Sequence, residues 1–142
     1  MYKSILLSVD VADESHSKKA LKTALQLATT FKAKLHIVNV VPDFGVGMVS
    51  SYFDEDFAKK AIETAEKLLK DFVAEHIAGD VQYETKVCYG TIYVQIIEAA
   101  NDSGCDLIVM GSHRPELEDY LIGPNASRVM RHAKQSVFIV RD

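Results

Sequence analysis

Hydrophobic positions fall along the chain in two rhythms that alternate. Short apolar blocks centred on Ile5-Leu6-Leu7, Leu35 to Val41, Leu107 to Met110 and Val137 to Val140 have the length of strands buried on both faces. Between them, apolar residues recur at the i, i+3, i+4, i+7 spacing of helices with one core-facing stripe. Ala20, Leu21, Ala24, Leu25, Ala28 and Phe31 form the first stripe. Phe57, Ala61, Ala65, Leu68, Leu69 and Phe72 form the second, on a long helix expected from about Tyr52 to Ile77. Tyr93, Ile96, Ile97 and Ala100 make the third, and Ala126, Val129, Met130 and Ala133 the fourth. Val81 to Tyr89 alternates instead, which predicts a strand with one wetter face, near a sheet edge.

The boundaries follow from turn and cap chemistry. The first strand is expected over Tyr2 to Val9, with Asp10 at its carboxyl end and Ser15 or Ser17 capping the next helix. Gly79 and Gly104 are placed to stop the second and third helices. The order βαβαβαβαβ predicts one α/β domain over residues 1–142: an open five-stranded parallel sheet with helices on both faces. Ligands of such sheets bind beyond the carboxyl ends of the strands, where the winding reverses. A reversal between strands one and four would make Asp10 and Gly111 neighbours across one crevice. The connection from Pro42 to Ser51 carries two glycines and several apolar residues. It is read as a lid, a partner contact or a plain flexible loop.

Composition narrows the class of partner. A net charge of −4 argues against nucleic acid, which wants a basic face. No apolar run approaches a membrane span, so no membrane insertion is expected. The opening MYKSILLSVD reads as a strand and not as a signal peptide. Cys88 and Cys105 lack metal-site spacing and are expected to be buried, reduced bystanders, which fits a cytoplasmic protein.

Candidate chemistry concentrates between residues 106 and 133. Gly111 ends a buried strand, a polar loop follows, and Gly123-Pro124-Asn125-Ala126-Ser127 opens the last helix. Glycine lets a backbone approach a ligand, and the unpaired N–H groups of a helix start point at an anion. Two glycines in a strand–loop–helix unit are, alone, equally compatible with tight turns. Neither GxGxxG nor GxxxxGK[ST] is present, and the acidic cluster and lysine of a phosphorylated receiver domain are missing.

The chain resembles the universal stress protein family along its whole length. KSILLSVDVADES is similar to the family's first strand with its terminal aspartate, LHIVNVVP to its second, and GSHRPELEDYLIGPNASRVMRHAKQSVFIVRD to its C-terminal third. The resemblance implies a five-stranded parallel sheet and, for one branch, ATP binding through Gly, two residues, Gly, nine residues, Gly, then Ser or Thr. Here Gly111 matches, Arg114 stands at the second glycine, eight residues separate it from Gly123, and Pro124 replaces the Ser or Thr. A shortened version with a GSNAS-like helix start resembles small bacterial members considered ATP binders. Pro124 removes a hydroxyl and an N–H, while Asn125, Ala126 and Ser127 keep theirs.

On that resemblance Asp10 receives a ribose or the adenine amino group, and its other role is to cap the loop after it. Val40 offers its backbone to adenine, and Ser8, Val9 and Met110 line the same site. His113 and Arg114 lie in the loop between the glycines, where Arg114 could pair with a phosphate or stay solvated. Glu116, Glu118 and Asp119 could hold Mg²⁺ or form a solvated acidic loop. Arg128, Arg131 and His132 lie opposite the core-facing stripe and are left out of the site. No catalytic constellation or metal-ligand set can be argued.

The leading expectation is therefore a cytoplasmic, homo-oligomeric regulator of stress that binds ATP, with or without Mg²⁺, and acts on a regulated protein partner. The alternatives are a nucleotide-free dimeric interaction module and a weak ATP-hydrolysing enzyme. Self-association is expected through the last strand, Val137, Phe138, Ile139 and Val140, whose edge lacks a proline or a mid-strand charge.

Overall fold

A computed structural model describes residues 1–43, 51–112 and 123–141, and side chains of the second helix from residue 56 onward. The loop expected as a lid lies mostly outside these residues, as do His113, Arg114, Glu116, Glu118 and Asp119. The described elements are β1 (Ser4–Ser8), α1 (Glu14–Phe31), β2 (Lys34–Pro42), α2 (Ser51–His76), β3 (Tyr83–Gly90), α3 (Ile92–Asp102), β4 (Leu107–Gly111), α4 (Pro124–His132) and β5 (Ser136–Val140).

All four strand pairs are parallel, in the order β3-β2-β1-β4-β5. β1 is central, which is why Ile5, Leu6 and Leu7 are all buried and need no alternation. Alternate residues feed two cores. Ile5, Leu7, Leu35, Ile37, Leu107 and Val109 pack under α1 and α2. Leu6, Val38, Ile108 and Met110 pack under α3 and α4. Each fully buried aliphatic side chain contributes roughly 1.5–3 kcal/mol. The winding reverses at β1: the chain leaves it toward β2 and β3, then crosses to β4 and β5. With right-handed crossovers, that reversal puts the two helix pairs on opposite faces.

Three local expectations are corrected. β1 is shorter than Tyr2–Val9, because at one end the Lys3 N–H goes to the Asp106 carboxylate and at the other the Asp10 N–H goes to Ser17 Oγ, not to a neighbouring strand. Neither Ser15 nor Ser17 caps α1, which starts at Glu14 with Asp13 before it and so places both serines within the first turn. Met130 is 42% exposed: α4 lies over the last strands, and beyond β5 there is no sheet for it to cover. Ala126 and Val129 carry the buried stripe of α4.

Candidate functional site

The reversal brings the carboxyl ends of β1 and β4 together. Leu7 is in register with Val109, so Gly111 continues beside Val9 and the Asp10 loop opens next to it. The Asp10 N–H donates to Ser17 Oγ at 2.9 Å, and the Asp10 carbonyl accepts from Asp13 N–H at 3.1 Å. One carboxylate oxygen accepts the Ala12 N–H at 3.0 Å. Asp10 thus caps its own loop, as one of its two expected roles required, and its exposed carboxylate still borders the crevice.

β2 runs on past the point where β1 leaves it. The last backbone bond between them runs from Val9 N–H to Val38 O, 2.9 Å. Leu35 and Asp43 N–H groups point to β3, at Gln82 O and Gly90 O. The even residues of β2 therefore point toward β1, and the N–H and C=O of Val40 face the crevice beyond the last rung. The space left by β1 is an open cleft of about 440 Å³. Asp10, Val11, Asn39 and Val40 form its sheet wall, and Phe57, Lys60 and Leu68 of α2 face them. This explains why Phe57 is 61% exposed despite its place in a helical apolar stripe: that end of α2 borders the cleft and not the closed core.

The second half of the site lies at β4 and α4. A Cβ on Gly111 would meet the carbonyl of His16 at 3.5 Å and that of Val140 at 3.9 Å, so glycine there opens toward α1 and β5. The Ser112 N–H donates to Val140 O at 3.0 Å, and Ser112 O accepts from Gly123 N–H at 3.3 Å. Gly123 is the N-cap of α4 and Pro124 its first residue. Ser127 keeps its N–H, but that group donates to Gly123 O at 3.0 Å. Only Asn125 and Ala126 keep first-turn N–H groups without an intrahelical acceptor.

Among the other expected residues, Ser8 is half-buried at the tip of β1. The side chains of Val9, Met110 and Ala126 belong to the two cores, so they can meet a ligand only through backbone. Arg128, Arg131 and His132 are exposed, as expected. The Arg128 guanidinium sits 5.4 Å from the Tyr93 ring centre, and the His132 ring 5.9 Å from it, which holds both on α3. Cys88 and Cys105 are free and buried, and burial pushes both thiols up from their ordinary range. Val137 and Ile139 of β5 are half-buried and Val140 is buried, whereas Phe138 is 43% exposed.

Sequence reasoning missed Asn39, Phe57, Lys60 and Leu68. The one available signal was Asn39 itself, a buried amide within an otherwise apolar block.

Among the described residues, no helix is long and apolar enough to cross a membrane. The family model of the universal stress proteins matches residues 1–141. Universal stress protein G of Shigella flexneri is 32% identical over 145 residues, covering 99% of this chain and 100% of that protein. A crystal structure of a family member from Burkholderia pseudomallei superposes with a TM-score of 0.78 at 26% identity, over 99% of this chain and 97% of that one. The same fold recurs in a universal stress protein in complex with cAMP, with a TM-score of 0.63 at 22% identity over 99% and 97% of the two chains. It recurs again in one from Archaeoglobus fulgidus in complex with dAMP, with a TM-score of 0.62 at 18% identity over 99% and 98%. On these matches and on the shared doubly wound sheet, the chain belongs to the universal stress protein family.

Proposed function

We propose that this chain is a cytoplasmic ATP-binding regulator whose nucleotide occupancy, and not turnover, is its output. The observation that carries the reading is the cleft at the winding reversal. It is lined by the fixed Asp10 and the open peptide groups of Val40, while Gly111, continuing from β4 beside Val9, leads through Ser112 to Gly123 at the start of α4. Asp10 is suited to a ribose hydroxyl or the adenine amino group, and Val40 to the ring edge. Asn125 and Ala126 N–H groups supply two phosphate donors in the field of the helix dipole. The relatives in complex with cAMP and dAMP support adenine nucleotides as the ligand class.

ATP seated there would tie the β1–α1 loop to β4 and α4, so occupancy would stiffen one arrangement of that surface for a protein partner. The outer edge of β5 would form a homodimer with a second copy. It carries the exposed Phe138, and Met130 of α4 is a second exposed apolar side chain. A two-fold pairing satisfies both edges at once.

The test is native mass spectrometry of ligand carried through purification, followed by calorimetry with ATP. ATP is expected to bind, and Gly123→Val to weaken it about tenfold, or about 1.4 kcal/mol. Absence of ATP binding by the unmutated protein would end this reading. Many phosphate-release turnovers per minute with Mg²⁺, abolished by a crevice mutation, would replace it with the enzyme.

A further inference from the structure

We propose that the carboxamide of Asn39 reads the base of the bound nucleotide, donating from Nδ2 to a ring nitrogen of adenine; this rests on the nucleotide reading above. Asn39 is 4% exposed, one of few buried polar residues in a sheet otherwise lined by aliphatic side chains. As an odd-numbered residue of β2 it shares the face of Leu35 and Ile37, under α1 and α2, where the cleft opens. Its Oδ1 accepts the Val11 N–H at 3.1 Å. That bond fixes the amide, because a flip would set the NH₂ group against another donor.

The Nδ2 group is therefore turned away from Val11. No acceptor within the described residues takes its hydrogens. The nitrogen is not sealed in the core either: the described side-chain atoms that are both buried and unpaired are His76 Nε2 and Gln135 Oε1. Its remaining accessible surface is that of the cleft that Asn39 lines. The result is an oriented donor, held by a backbone bond at its other end, at the wall of a mostly apolar space.

Val11, Phe57 and Leu68 offer apolar surface to the flat faces of a ring, while Asp10 can only accept once ionised. A ligand that displaced water from Nδ2 without replacing its bond would leave a buried donor unsatisfied, at a cost of about 1–3 kcal/mol. Adenine carries in-plane acceptor nitrogens at N1, N3 and N7, so its ring meets the donor without rearrangement of the wall.

Asn39→Asp separates the two ends of the side chain. It keeps an acceptor for Val11 N–H and turns the ligand-facing donor into an acceptor. Calorimetry is run with ATP and with its 1-deaza, 3-deaza and 7-deaza analogues, on the full chain and on N39D. One analogue is expected to bind the unmutated chain about tenfold more weakly than ATP. N39D is expected to lose a similar factor for ATP and nothing further for that analogue.

The inference is overturned if N39D binds ATP as the unmutated chain does, or if ATP and all three analogues lose the same factor on mutation. Should N39D fail to fold, the unmutated chain still decides. Three analogues that bind as ATP does, with the Asn39 side-chain amide resonances unmoved by ATP, overturn it. A chain that binds no ATP at all removes the nucleotide reading together with this one. Binding that ignores N39D removes this one alone.

Discussion

Ser17 offers a direct test of how the crevice is held. Its buried hydroxyl accepts the Asp10 N–H at 2.9 Å and donates to the Asp10 carbonyl at 3.3 Å. Ser17→Ala removes both bonds, but the carbonyl keeps Asp13 N–H at 3.1 Å. The net damage is one orphaned donor, the Asp10 N–H. A fully buried orphan costs about 1–3 kcal/mol, and this one is only partly buried, so water recovers some of it and about 1 kcal/mol remains. For a chain of 142 residues that corresponds to roughly 4 °C in Tm. Urea unfolding would measure the loss, and amide exchange at Asp10 would locate it, with faster exchange there and little change in β2. Nucleotide affinity should fall as well, because Asp10 must then be ordered by the ligand. A loss below about 0.3 kcal/mol with Asp10 as protected as before would refute the assignment, since a satisfied and an orphaned donor differ by more than that.

Other outcomes follow from the same geometry. Gly111→Ala should fold and cost less than about 1 kcal/mol, because its Cβ meets two carbonyls at ordinary contact distances of 3.5 and 3.9 Å; urea unfolding showing a much larger loss would mean the tip of β4 cannot relax. Burial holds the His36 imidazole below its ordinary value, with Glu84 opposing and Lys34 assisting. The unfolded chain therefore takes up this proton at higher pH than the folded one. Its contribution to stability is complete above about pH 7 and declines as the pH falls. His36→Gln should flatten that decline below about pH 7, and parallel stability profiles would refute the shift. Phe138→Lys should leave the fold intact, since the ring is already exposed, and convert the proposed dimer to monomer by light scattering across a dilution series. A dimer that survives with crosslinks avoiding β5 would move the interface elsewhere.

The elements were legible because both periodicities are strong here. β1 and β4 are buried on both faces, and α1 and α3 show single apolar stripes. The strand order was not legible, since nothing in a run such as LIVM names the neighbour it pairs with, and the crevice depends on that order. Helical spacing identified Phe57 and Leu68 as one stripe with Leu69 and Phe72. It could not say that the stripe leaves the core partway along α2, because that depends on where the sheet ends beneath it. Asp10 and Gly111 were found as strand tips, whereas Asn39 was hidden inside a strand, where its type mattered and its spacing did not. Ser17 was expected to serve a helix and serves the loop before it, because the boundary falls earlier than cap chemistry alone would place it.

The central position of β1 also governs the order in which the chain can fold during synthesis. One edge of β1 is closed early by β2, about thirty residues on, through pairings from Ser4–Lys34 to Ser8–Val38. The other edge waits for Leu107 to Val109, and Asp106 secures it by accepting the N–H groups of Lys3 and Ser4 at 3.0 and 3.2 Å. Until that segment emerges from the ribosome, the nascent chain presents an open strand edge of Ile5-Leu6-Leu7, with the α3 and α4 face of the sheet bare. Such an edge invites pairing with other chains, and closing so long a loop slows the final step. The interval between the synthesis of β1 and of β4 is thus when this chain most needs a chaperone.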